Sequence, residues 1–238
     1  MSLNITGILI DYLPDSKVHY DSKDFEVSLI NQLSPKNLSI TFIKNSTLIL
    51  LDKIFFENVN EEKELTSLEK DISEIFPKSN VWIFVLNDII DFFGFSRIEN
   101  GIKIRSKFIG QGRPFLDYGD LHIVEQKIYD EYSEILFSDE YIKSIFDEKF
   151  EKLDEIEVKK QFLVFRDKIL NKKNIQNNFA YLSGNMESYY IENLFEKIIE
   201  IKLLDLLEIK FVTFKKSKFN FNKESLKNYI LTAKSQIL

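Results

Sequence analysis

Apolar positions in the first half of the chain come in short alternating or continuous runs. Ile5 to Leu13 predicts a first strand, ended by Pro14 and Asp15. Phe25, Leu29, Ile30 and Leu33 recur at helical spacing between Asp24 and Leu33, and Pro35 follows as a stop, so a helix is predicted there. Leu38 to Ile43 alternates in the β manner, Asn45-Ser46 marks a turn, and Thr47 to Phe56 returns as one or two strands. Leu65, Leu68, Ile72, Ile75 and Phe76 form one stripe of a helix within Asn60 to Phe76, closed by Pro77. Val81 to Leu86 is short and continuously apolar, as suits a central strand buried on both faces. Phe92 to Ile98 and Ile102 to Ile109 follow as strands. The order β-α-β-β-α-β-β-β with short links predicts a mainly antiparallel or mixed sheet, covered by helices on one face.

Past Tyr118 glycine nearly vanishes and helical spacing takes over. Ile142, Ile145, Phe146, Phe150, Leu153 and Ile156 stripe a charged helix over Glu140 to Lys159, which continues after a bend through Gln161 to Leu170. Met186 to Leu207 is apolar on most sides, which places it against the core. Ile209 to Lys215 predicts a late strand and Lys223 to Ile237 a closing helix. The fold class is therefore α+β with a largely helical C-terminal half. Two organisations fit: a sheet-containing region 1–136 with a mostly helical region 137–238 packed on it, or one domain over 1–238.

Glu99-Asn100-Gly101 between apolar strands signals a hairpin, since Asn and Gly accept positive φ at little cost. Two loops are open. A two-residue turn at Asn100-Gly101 sets Glu99 opposite Ile102. A three-residue loop with a glycine bulge sets Ile98 there instead, and is preferred because it puts Ile98, not Arg97, on the apolar face. In both, strand alternation gathers Lys103, Arg105 and Lys107 on one face and sends Ile102, Ile104 and Phe108 toward the core. The basic row reads either as a solvated outer face or as an anion-binding surface. Arg113, in a Gly-rich loop at Gly110-Gln111-Gly112-Arg113-Pro114, would join the latter.

Composition changes this picture mainly by exclusion. The chain has 238 residues, 44% of them hydrophobic, and can bury a sizeable core without staples. With no cysteine, disulfides, thiolate nucleophiles and cysteine-bound zinc drop out. A net charge of −6 argues against nucleic acid as a partner. The N-terminus has no basic segment of a signal peptide, and the longest uncharged apolar stretch, Val81 to Leu86, falls far short of the roughly 18 residues that span a bilayer. A cytoplasmic protein is expected, and abundant Phe, Ile, Lys and Asn suggest an AT-rich bacterial genome.

Nucleotide-binding and hydrolase motifs are missing: Gly110-Gln111-Gly112 has Phe115 where a dinucleotide loop needs its third glycine, and neither histidine sits in H-E-x-x-H. Asp117, Asp120, His122 and Glu125 lie close together in sequence, with Asp120 and His122 expected on one strand face. Oxygen and imidazole ligands of this kind can hold a divalent metal or serve as acid and base. With so many acidic residues, a loop with solvated or turn-forming carboxylates is the competing reading. Asp88 and Asp91 follow the central strand as further metal or acid-base candidates, although turn formation by Asn87-Asp88 competes with that role.

The block VWIFVLNDIIDFFGFSRIENGIKIRSKFI carries an apolar strand, Asp91-Phe92-Phe93, the turn Ile98-Glu99-Asn100-Gly101, Arg105-Ser106 and, further on, Asp117-Tyr118-Gly119. Over residues 81–120 it resembles an uncharacterised bacterial domain-of-unknown-function family. That resemblance implies no activity, cofactor or partner. Function therefore stays open at this level between two readings. One is a non-enzymatic binding protein with a protein partner on its C-terminal helices. The other is an enzyme or ligand-binding protein for a phosphate-bearing small molecule, with its site at Asp88, Asp91, Lys103, Arg105, Lys107 and Arg113.

Overall fold

The structure is a computed structural model that describes residues 4–14, 25–29, 38–51, 64–87, 89–90, 92–110, 113–149, 155–169, 186–214 and 223–237. Among the described residues nine strands form one sheet: β1 (Asn4–Ile10), β2 (Phe25–Leu29), β3 (Leu38–Ile43), β4 (Ser46–Leu51), β5 (Asn80–Asn87), β6 (Phe92–Glu99), β7 (Ile102–Gly110), β8 (Arg113–Tyr118) and β9 (Lys210–Phe214). Their spatial order is β2-β9-β3-β4-β1-β5-β6-β7-β8, and every pairing is antiparallel. Six α-helices among the described residues accompany them: α1 (Ser67–Ile75), α2 (Ile123–Leu136), α3 (Asp139–Lys149), α4 (Glu155–Ile169), α5 (Met186–Ile199) and α6 (Lys223–Ile237). The protein is α+β, as its sequence predicts. Among the described residues no helix is long and apolar enough to cross a membrane.

Helices cover both faces of the sheet, not one. Trp82, Phe84 and Leu86 of β5 meet Tyr190, Ile191, Leu194 and Phe195 of α5 and Ile128 of α2 in one apolar cluster. Val81 and Ile83 of the same strand meet Leu68 and Ile72 of α1 and Leu226, Ile230 and Ala233 of α6 in the other. Because side chains alternate along a strand, a strand buried on both sides reads as continuously apolar, and Val81 to Leu86 is buried at every position. Each large side chain so enclosed contributes about 1.5–3 kcal/mol.

Several elements differ from the sequence expectation. Phe25–Leu29, the described part of the helix expected over Asp24 to Leu33, is instead an edge strand paired with β9. Five residues are too few to separate helical from strand spacing, and the partner strand, 181 residues further on, decides. Arg113 and Pro114, expected in a Gly-rich loop, open the edge strand β8, where a proline is tolerated because an edge needs no outward N–H; Gln111 and Gly112 of that loop lie outside the described residues.

Helix ends follow their caps. Thr66 Oγ1 accepts the Glu69 N–H at 3.2 Å and the Glu69 carboxylate accepts the Thr66 N–H at 2.8 Å, a capping box that starts α1. Helix α5 stops at Ile199, short of the predicted Leu207, because Glu200 takes φ 57° and the Ile201 N–H closes back on Glu196 O at 3.2 Å. A 3₁₀ turn (Leu204–Glu208) then leads into β9.

Candidate functional site: a basic row divided by a bulge

The β6–β7 hairpin turns on Asn100 and Gly101, with φ 49° and 75°, and sets Glu99 opposite Ile102. This is the two-residue loop, not the preferred three-residue one. The extra residue enters further along. Ile98 faces Lys103 and Arg97 faces Arg105, so Ile104 has no partner: a β-bulge. Strict alternation therefore fails between Lys103 and Arg105. The bulge sends them to opposite faces of the sheet.

On the α1 face, Lys103 Nζ meets Glu69 Oε2 at 2.7 Å and donates to Glu64 O at 2.7 Å. Both side chains of that ion pair are buried, at 1% and 3% exposure. On the other face Arg105 is also 1% exposed. Its Nε donates to both oxygens of Glu125, at 3.1 and 3.3 Å, and its Nη2 to Glu125 Oε1 at 3.0 Å. Its Nη1 donates to Asp117 Oδ1 at 2.5 Å, Tyr118 O at 2.8 Å and Ser106 O at 3.2 Å. Lys107 Nζ reaches Asp117 Oδ2 at 3.2 Å and lies 5.4 Å from the ring centre of Tyr190. The Tyr190 hydroxyl donates to Glu125 Oε1 at 3.0 Å. The expectation of a solvated outer row is overturned, since Lys103 and Arg105 are buried; the predicted faces fail at Lys103 and at Ile102, which is 65% exposed, while Phe108 is buried as expected.

Removing Arg105 and Glu125 from water costs on the order of several kcal/mol per ion, which only close, multiply bonded geometry offsets. Burial alone would lower the Arg105 pKa, but Glu125 and then Asp117 outweigh it and hold the guanidinium above its ordinary value. Burial would likewise raise Asp117, yet Lys107 and Arg105 together bring it below the usual carboxylate range. Burial, reinforced by the Glu125 charge, pushes the Tyr190 phenol upward and keeps it a proton donor. Chemically the arrangement is a set of matched charges holding α2 and α5 to β7 and β8.

Helix α2 begins at the same place. Glu125, its third residue, accepts the His122 N–H at 3.0 Å, and His122 Nδ1 accepts the Val124 N–H at 3.3 Å. His122 thus stands at a helix start, not on a strand face beside Asp120, which is exposed in the preceding link. Asp117, His122 and Glu125 are each engaged elsewhere, and among the described residues no set of three His, Asp or Glu could hold a metal. Asp88 and Asp91 lie outside the described residues, but Asn87 Oδ1 accepts the N–H groups of Ile89 and Ile90 at 3.1 and 3.4 Å, as a turn-former does. Arg113 pairs with Gly110 through its backbone, and its side chain is not described.

Sequence reasoning missed Glu69 and Tyr190. Thr66-x-x-Glu69 is a legible capping signal, but it carries no sign that the same carboxylate meets Lys103. Tyr190 has no local signal at all. The fold and site together define an α+β protein with paired charges buried on both faces of one sheet. Compared with protein-family models, curated proteins and solved structures, the chain matches none.

Proposed function

We propose that the protein is a cytoplasmic, non-enzymatic binding protein that takes a protein partner on the helices of its C-terminal half. One observation carries this reading. On α4, Phe162 and Phe165 pack against Phe146 of α3 with ring centres 5.5 and 5.7 Å apart. Their neighbours Leu163 and Val164 stand 58% and 67% exposed. Two adjacent large apolar side chains in water, on a helix anchored from its other side, suit a surface that a partner covers.

The rival reading needs Lys103, Arg105 and Lys107 available to a phosphate, whereas each meets a carboxylate of the chain itself. A pull-down from the native host, run with the wild type and with Leu163→Asp/Val164→Asp, tests the proposal. A stoichiometric partner retained by the wild type and lost by the double variant supports it. No partner at adequate expression, or one held equally by both, overturns it.

A further inference from the structure

His122 makes one contact that depends on its charge and one that fixes its ring. Its Nδ1 accepts the Val124 N–H at 3.3 Å, which requires a lone pair on that nitrogen. Its ring meets Trp82 edge-on at 5.2 Å, half-buried between β5 and the start of α2. The Arg97 guanidinium of β6 lies 5.4 Å from the centre of the same indole. We propose that His122 is a pH-sensitive cap: neutral, it closes the first turn of α2, and protonated, it releases that turn.

Protonation at Nδ1 would set a donor against the Val124 N–H, removing one partner from a helix end that has four orphan donors to satisfy. It would also add a cation beside Arg97 and at the positive end of the α2 dipole. The remaining charged groups there are Glu99 of β6, bound to Arg97, Glu125 of α2, bound to Arg105, and the exposed Asp120 of the incoming link. Glu125 and Glu99 favour the imidazolium, but burial first and Arg97 second oppose it, and the pKa lies below the ordinary 6.5.

The sign follows. A histidine depressed in the folded state binds fewer protons than the unfolded chain, so its contribution is complete above pH 6.5 and is lost as pH falls below it. Asp117, itself depressed below 3.8, titrates in a lower window. Leu121, just before the released turn, and Ile123, within it, are exposed at 42% and 63%, so the switch alters how this apolar corner is presented.

Amide exchange at Val124, followed by NMR between pH 7.5 and 5, tests the cap. In the wild type its protection factor, corrected for intrinsic exchange, should fall roughly 2- to 30-fold, the range spanned by loss of an N-cap. His122→Asn supplies a non-titrating cap and should hold protection constant across the same range. Protection that is flat in the wild type, or that falls equally in His122→Asn, overturns the proposal. The wild type alone decides the matter if the variant does not fold. The His122 Cε1–H shift must then titrate below pH 6.5 with the same midpoint as Val124 protection, and a midpoint at or above 6.5, or two separate midpoints, overturns it.

Discussion

Replacing Glu125 by Leu removes the acceptor at the centre of the buried network. The carboxylate, 0% exposed, takes hydrogen bonds from Arg105 Nε, Arg105 Nη2, the Tyr190 hydroxyl and the His122 N–H. Breaking a buried pair by removing one partner costs about 3–5 kcal/mol, because the other charge is left unmatched. Arg105 keeps its Nη1 bonds to Asp117 and Tyr118 O, so the lower part of that range, about 3 kcal/mol, is expected. At about 2–4 °C per kcal/mol for a chain of this size, Tm falls by roughly 6–12 °C. The triple variant Arg105→Met/Glu125→Leu/Tyr190→Phe removes charge and hydroxyl together, leaves Asp117 to Lys107, and should recover all but about 1–2 kcal/mol. Urea unfolding followed by circular dichroism measures both, with m-values checked for constancy. If the triple variant loses as much as the single one, or Glu125→Leu costs under about 1 kcal/mol, the reasoning fails.

On the opposite face Lys103→Met leaves Glu69 buried without its matching cation, and urea unfolding should show a loss of about 3 kcal/mol. Adding Glu69→Gln, which keeps an oxygen for the Thr66 N–H, should recover most of it. Asp117, whose folded pKa is lowered, contributes stability that is complete above its ordinary 3.8 and is lost as pH falls below. Asp117→Asn should therefore flatten the acid limb of a Tm-against-pH curve while leaving its shape between pH 5 and 7 unchanged.

Much of the strand pattern was legible because burial leaves a local mark. Leu38 to Ile43 is bounded as its alternation indicates, and the apolar run at Val81 marks a strand that touches both cores. The late strand at Ile209 to Lys215 and the closing helix from Lys223 also stand where their periodicity places them. Phe25 to Leu29 did not betray itself, since a short segment takes its conformation from a partner distant in sequence. Helix α2 was hidden because it opens on a histidine and on a glutamate whose carboxylate serves both the helix start and Arg105. The basic row was legible as a row and misread as a face. Alternation is a rule of unbroken strands, and nothing in Ile102 to Phe108 announces that Ile104 is the residue without a partner.

That bulge has a mechanical consequence. Lys103 and Arg105 are two positions apart on one strand, yet one grips α1 beneath the sheet and the other grips α2 above it. The strand acts as a rivet driven through the sheet, its two heads turned outward by a single unpaired residue. Both helical layers are therefore fastened to the same three residues of backbone at the hairpin end.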